Sequence, residues 1–325
     1  MLIVHFLILI VGFYALIKGA DVFVDGSAAL AKNFRIPSLI IGLTIVALGT
    51  SAPELAVSLS AALQGSNEIA LSNVIGSNIF NLLCILGSCA FVSSVPVGKE
   101  ALRRDYPVTI ASTIFALIMV AGPCLLNGTL ARSAMYDATG TVSRITGGGL
   151  LIAFIAYIIW LIVEARKNPV DEEIKDNLAT WKCFLFIVLG LIMIAAGGKG
   201  VVHSAQAIAR AAGVTETLIG LTIVALGTSL PEFVTSLVAA RKGQTELAIG
   251  NVLGSNIFNL MFVLGTSALI RPIAANAASL YDLAILAAVS VLAYVFAFTR
   301  RRVGRIEGSL MIVIYAGYVV FAAMR

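Results

Sequence analysis

Glu54 and Glu232 pose the chemical question in this chain, because each lies inside an apolar run and each directly follows a proline. Residues 42–51 read GLTIVALGTS, and residues 220–229 read GLTIVALGTS again; Pro53-Glu54 and Pro231-Glu232 follow the two copies. The same offset of 178 superposes Asn73-Val-Ile-Gly-Ser-Asn-Ile-Phe-Asn81 on Asn251-Val-Leu-Gly-Ser-Asn-Ile-Phe-Asn259. Carboxylates are costly inside a membrane and mark ion or proton paths there. A carboxylate kept in both copies of a duplicated chain therefore points to a cation site between the halves.

Proline removes an N–H and clashes with the carbonyl four residues earlier, so the helix should kink or unwind around Gly49 and free carbonyls between Ala47 and Thr50. Ala47, Thr50, Ser51 and Glu54 share one helical face, as do Ala225, Thr228, Ser229 and Glu232. The second motif stacks Asn73, Ser77 and Asn81 at four-residue intervals, and Asn251, Ser255 and Asn259 repeat the stack. Gly76 and Gly254 should let these faces pack against the broken helices; the same stacks would also serve as helix-packing glue. The donors are all oxygen, which suits the hard cations Ca²⁺ and Na⁺ better than zinc or copper. No organic cofactor is implied. Two carboxylates balance one Ca²⁺; empty, they would repel and one would protonate. Such a site is always filled by metal, by several Na⁺ or by protons, which favours exchange over uniport. Glu68 and Glu246 also correspond, but a helix start explains them. Asp21, Asp105 and Asp282 fall at segment ends and are expected to be solvated. His5 and His203 are isolated in the sequence, which leaves Ser51 and Ser229 without a base and argues against an enzyme.

The elements that hold these residues are apolar helices. The 325 residues are 59% hydrophobic and 12% charged, whereas a soluble domain carries about 25% charged residues. Ten segments approach the roughly 20 residues that span a bilayer: 1–17, 38–63, 69–93, 107–126, 147–164, 183–201, 217–240, 247–270, 280–298 and 308–324. The first lacks a basic start and a cleavage site, so it reads as a retained helix. The four cysteines lack metal-ligand spacing and read as buried thiols. Of the Lys and Arg residues, sixteen fall after odd-numbered segments and six on the other side. The positive-inside rule then places both termini outside a cell membrane and residues 165–182 in the cytosol. The net charge of +5 is thus a topology signal and not a nucleic-acid footprint. Arg300-Arg301-Arg302 could meet anionic lipid, though topology alone accounts for it. Five helices in 1–164 and five in 183–325 make the repeats inverted. The expected fold is all-α and polytopic, ten transmembrane helices in two inverted five-helix repeats.

Gly49–Glu54 with Gly76–Asn81, and Gly227–Glu232 with Gly254–Asn259, resemble the two alpha-repeats of the Ca²⁺/cation antiporter superfamily, with prokaryotic sodium/calcium exchangers as the nearest match. The resemblance covers about 42–87 and 220–265. It implies alternating access, with Glu54, Glu232 and the carbonyls of Thr50 and Thr228 binding Ca²⁺. Na⁺ would use Ala47, Ser51, Ser77, Ala225, Ser229 and Ser255, and the first and sixth helices would slide across the core. Proton-coupled members tend to carry Asn in place of Thr50 and Thr228 and to lack the proline, so this motif favours Na⁺. Asn259 stands where some exchangers carry Asp. H⁺/Ca²⁺ antiport with the same glutamates is the rival reading, and a cation channel a more distant one. Ca²⁺, Na⁺ and membrane lipid are the partners expected, with no obligatory protein partner.

Overall fold

The computed structural model describes residues 2–126, 138–167, 169, 178–214, 223 and 225–324. Its helices are α1 (Leu2–Asn33), α2 (Ser38–Thr50), α3 (Ala52–Gln64), α4 (Ile69–Val92), α5 (Ala101–Gly122), α6 (Arg144–Lys167) and α7 (Thr180–Ala211), then α8 (Ala225–Gly227), α9 (Leu230–Arg241), α10 (Thr245–Ile270), α11 (Ala277–Arg300) and α12 (Arg305–Met324). Among the described residues eight helices are long and apolar enough to span a bilayer, and α2 with α3 forms a ninth span bent by 50°. Of the expected 217–240 segment, residues 217–222 and Val224 lie outside the described residues, as do 168 and 170–177 of the 165–182 linker.

The two equivalent helices α1 and α7 show how the halves are related. Gly12 abuts Gly197, Gly19 abuts Gly190, and Gly26 abuts Cys183. These contacts run in opposite directions along the two helices at seven-residue steps, so α1 and α7 are antiparallel. Equivalent helices that run antiparallel require a two-fold axis perpendicular to them, which is the inverted-repeat arrangement of transporters. The glycines are needed for the close approach. A Cβ on Gly190 would fall 2.7 Å from the Phe23 backbone nitrogen, closer than any relaxed packing allows.

The α4 and α10 helices form the centre, with 78% and 94% of their apolar windows buried, while α1 and α12 have 17% and 11%. The peripheral helices turn Ile3, Ile10, Ile152 and Val313 outward, as lipid-facing positions do. Two short antiparallel ties repeat across the axis: β1 (Val95–Pro96) with β4 (Arg302–Val303), and β2 (Ala138–Val142) with β3 (Ile273–Asn276).

Three expectations change. First, α1 does not stop at residue 17, nor is α7 confined to 183–201; each is a helix of 32 residues. Lys18, Asp21 and Asp25 end the apolar run but not the helix, because Gly19, Ala20, Phe23 and Val24 keep one face buried. Second, Asp105 and Asp282 are buried, not solvated. Asp105 accepts from Arg104 Nε at 2.7 Å and from the Tyr157 hydroxyl at 2.9 Å; Asp282 accepts from the Tyr318 hydroxyl at 3.3 Å. Each repeat thus ties its fourth helix to its fifth through an Asp–Tyr bond that desolvation makes necessary. Third, His5 and His203 are neighbours in space, with ring centroids 5.7 Å apart across the α1–α7 contact. Cys84, Cys89 and Cys183 are free thiols, and the Cys124 side chain is outside the described residues.

Candidate cation site

The chain breaks once between α2 and α3, at Ser51 (φ −85°, ψ 8°), and once before α9, at Ser229 (φ −90°, ψ 6°). Proline causes both breaks: Pro53 and Pro231 sit in the first turn of the following helix, where a missing N–H costs nothing. In the first repeat the result is a sharp one-residue hinge and not an unwound stretch, and in the second Thr228 and Ser229 separate α8 from α9. Ala47 keeps its carbonyl engaged with the Ser51 N–H at 3.0 Å, so fewer carbonyls are freed than the proline spacing suggests. Glu54 and Glu232 occupy the first turns of α3 and α9, where the helix dipole favours an anion.

Each carboxylate is held by a serine from the other repeat. The Ser51 hydroxyl donates to Glu232 Oε1 at 2.7 Å, and the Ser229 hydroxyl donates to Glu54 Oε1 at 2.8 Å. Ser77 Oγ lies 3.3 Å from Glu54 Oε1 and 3.0 Å from Ser229 Oγ, while Ser51 Oγ and Ser255 Oγ are 2.9 Å apart. These bonds use one oxygen of each glutamate. Among the described residues the other oxygens, Glu54 Oε2 and Glu232 Oε2, are buried with no donor, and so are Asn81 Oδ1 and Asn259 Oδ1. Asn259 joins the glutamate–serine network through Ser77 Oγ, to which its Nδ2 donates at 3.3 Å, and this polar cradle carries four buried acceptors without a donor, two from each repeat. A cation is the species that satisfies acceptors alone.

Of the residues singled out in the sequence, Ala47, Thr50, Ser51, Glu54, Ser77, Asn81, Ser229, Glu232, Ser255 and Asn259 are all buried. Thr228 is half-buried, with its hydroxyl oxygen enclosed and unpartnered. Ala225 begins α8, and its side chain lies outside the described residues. A Cβ on Gly254 would sit 2.7 Å from the Leu43 carbonyl, so that glycine does seat α10 against α2; Gly76 has no such neighbour among the described residues. The second motif is not a uniform α-helical stack, because π-helical turns occupy Asn81–Ile85 and Phe258–Val263. Such turns widen a helix and recur at functional sites.

Two pairs escaped the sequence reading. Asn78 and Asn256 exchange bonds across the axis, Nδ2 of each donating to the backbone carbonyl of the other at 3.2 and 3.4 Å. Their side-chain oxygens take the amides of Asn259 and Asn81 at 3.2 and 3.0 Å, which turns the Asn81 and Asn259 oxygens free. Ser58 and Ser236 each accept from Asn73 and Asn251 at 2.9 Å, and these two asparagines also donate to the backbone carbonyls of Glu54 and Glu232 at 3.2 and 3.4 Å. The signal was present: both pairs recur at the offset of 178.

The surroundings of the site are less symmetric than the site. Thr50 donates to Asn251 Oδ1 at 3.0 Å, with no matching bond from Thr228. α1 packs along α9, and Lys242 at its end reaches Asp25 at 2.8 Å and Asp21 at 3.4 Å; among the described residues α7 makes no comparable packing on α3. Accordingly Ser60 on α3 is exposed where its counterpart Val238 on α9 is buried.

Comparison with known proteins agrees with this geometry. The profile of a family described as sodium/calcium exchanger protein matches the chain twice, over residues 4–163 and 182–324. The sodium/calcium exchanger MaX1 of Methanosarcina acetivorans is 30% identical over 98% of this chain and 99% of its own. The inner membrane protein YrbG of Escherichia coli is 36% identical over 82% of this chain and 79% of its own. Among solved structures, the sodium-calcium exchanger NCX_Mj soaked with Na⁺ and Sr²⁺ is similar over 100% of both chains, with 32% identity and a TM-score of 0.83.

Proposed function

The chain belongs to the sodium/calcium exchanger protein family, a family of membrane cation antiporters and not of enzymes, and on that premise we propose that it exchanges Ca²⁺ for Na⁺ at the Glu54–Glu232 cradle. The observation that carries this reading is the set of four donorless buried oxygens, on Glu54, Glu232, Asn81 and Asn259. Ca²⁺ takes both glutamate Oε2 atoms with the carbonyls of Thr50 and Thr228. Na⁺ uses the surrounding neutral oxygens: Ser51, Ser77 and the Ala47 carbonyl on one side, Ser229, Ser255 and the Ala225 carbonyl on the other. A hydroxyl that donates to a glutamate keeps its own lone pairs, so Ser51 and Ser229 can orient a carboxylate and ligate Na⁺ together.

The coupling follows from charge. Two carboxylates buried in a low-dielectric interior cannot stand unbalanced, so Ca²⁺ leaves as Na⁺ arrives. The burial of both carboxylates fits an occluded position between two exits. The α1–α7 pair is the element whose shift across α3 and α9 opens one exit and closes the other; its glycine contact gives it a smooth, rigid body. The protein lies in the cell membrane with both termini outside, and residues 1–164 and 183–325 form the two repeats on either side of a cytosolic linker, 165–182.

The test is ⁴⁵Ca²⁺ uptake into proteoliposomes loaded with Na⁺, under an outward Na⁺ gradient or a pH gradient, for the wild type and Glu54→Gln. Uptake driven by the Na⁺ gradient and lost in the variant is the expected result. Uptake driven only by the pH gradient would transfer the protein to proton coupling through the same glutamates.

A further inference from the structure

Where α4, α11 and α12 end together, three arginines line one cleft, and we infer that this cleft binds the phosphate headgroup of an anionic phospholipid. The cavity is about 380 Å³ and is walled by Ser94, Arg300, Arg302, Arg305 and Glu307. The arginines come from three separate elements. Arg300 closes α11, Arg302 is held in β4 opposite Pro96, and Arg305 opens α12. Arg301 turns the chain between them in the left-handed conformation (φ 50°), and its carbonyl accepts the Val97 N–H at 2.8 Å. That turn points the flanking guanidinium groups into one space and does not scatter them over the surface.

Three guanidinium groups face one carboxylate there. Glu307 Oε1 is 3.9 Å from Arg300 Nη1, which leaves an excess of positive charge in the cleft. Guanidinium groups bind phosphate oxygens two at a time, and the N-terminus of the 20-residue α12 adds unpaired N–H groups of the same sign. Basic pockets between transmembrane helices accept lipid headgroups on these grounds.

The rim decides between a lipid and free phosphate. Ile306 beside Arg305 is 80% exposed. Ile306 itself lines the cleft, so an exposed apolar side chain adjoins the arginines. A free anion has no use for that second surface. Glu307 already sits over the start of α12 and competes with the phosphate for it; a Cβ on Gly304 would fall 2.7 Å from Glu307 Oε2.

The full chain is purified in detergent and titrated with phosphatidylglycerol or phosphatidylcholine, and bound lipid is counted by native mass spectrometry. The wild type should retain one phosphatidylglycerol in preference to phosphatidylcholine. Arg302→Gln with Arg305→Gln should weaken that retention roughly thirtyfold, at two lost charges beside an anionic group. Glu307→Gln should tighten it roughly fivefold, a gain that misfolding cannot imitate. Arg166→Gln with Lys167→Gln, at the far end of α6, should leave it unchanged. Equal retention by the wild type and the double arginine variant, or no gain in Glu307→Gln, would overturn the site. Displacement of the lipid by millimolar inorganic phosphate would overturn the assignment to lipid.

Discussion

The bond from Ser51 to Glu232 offers the sharpest test of the cross-repeat cradle. Ser51→Ala removes the 2.7 Å bond to Glu232 Oε1 and the 2.9 Å contact with Ser255, without straining the hinge, whose φ and ψ suit alanine. A buried hydrogen bond to a charged group contributes about 1.5–3 kcal/mol. Taking about 2 kcal/mol as lost orientation of the Glu232 carboxylate, Ca²⁺ should bind about thirtyfold more weakly. The mirror variant Ser229→Ala loses a bond of 2.8 Å, but Glu54 Oε1 still has Ser77 at 3.3 Å. Its loss should be nearer about 1 kcal/mol, or about fivefold. The assay is the apparent KM for ⁴⁵Ca²⁺ uptake in proteoliposomes, with calorimetric Ca²⁺ binding in detergent as a check free of transport rate. Ser290→Ala, which loses only a bond to the Leu286 carbonyl in α11, serves as the control. A shift below twofold in both site variants, or a larger shift for Ser229→Ala than for Ser51→Ala, would refute the idea that each glutamate is aimed by the opposite repeat.

Three further outcomes follow from packing and charge. Gly190→Ala should push α1 from α7 and cost about 1–3 kcal/mol, lowering the unfolding temperature in detergent. Gly317→Ala, on an exposed face with no neighbour within 4 Å among the described residues, should match or exceed the wild type. Asp105→Asn should cost about 3–5 kcal/mol by leaving Arg104 buried beside an uncharged partner, and Tyr157→Phe about 1–2 kcal/mol; an equal loss of thermal stability in both would show the ion pair to be irrelevant. Lys242→Ala removes exposed ion pairs to Asp21 and Asp25 worth about 1 kcal/mol together. If they hold α1 against α9, a cysteine placed at Val238 in a background free of other cysteines should react with maleimide about fivefold faster in Lys242→Ala. An unchanged labelling rate would rule that latch out.

The cradle was legible because duplication and chemistry coincide there. Glu54 and Glu232 announce themselves as carboxylates in apolar runs, and helical spacing alone brings Thr50 and Ser51 to the same face as Glu54. What spacing could not supply was the partner across the axis. Ser51 orients Glu232 and not Glu54, a pairing of residues 181 positions apart that needs the inverted fold to form. Asn78 and Asn256 recur at the offset of 178, but that each bonds its own equivalent could not be read from it, because the offset does not reveal which residues lie on a two-fold axis. Hydropathy also ended α1 at Lys18, since it averages over a helix whose buried face carries on while its other face turns polar. Asp105 looked like a solvated end because its compensating hydroxyl, Tyr157, lies 52 residues later.

Symmetry accounts for the paired donorless oxygens of the cradle, and its failures account for the difference between the two sides. Two identical halves related by an axis in the membrane plane would present the same barrier to both sides and prefer neither. This chain departs from that in particular residues. Thr50 finds Asn251 while the Thr228 hydroxyl has no partner among the described residues. Position 21 carries Asp on α1, where the offset of 178 places Lys199 on α7, and position 25 carries Asp opposite His203. Acids on α1 can meet Lys242 at the end of α9; Lys199 at the equivalent place on α7 has no acid to meet at Gln64, the residue equivalent to Lys242. The closed packing of α1 on α9, beside the exposed face of α3, is the consequence expected of that charge pattern. In an Asp21→Asn background, exchanging the charges with Asp25→Lys and Lys242→Asp together should therefore preserve the closed side, whereas either change alone should loosen it, and maleimide labelling of a cysteine at Val238 distinguishes the two. If the double variant labels as fast as the single ones, the asymmetry arises from packing and not from these ion pairs.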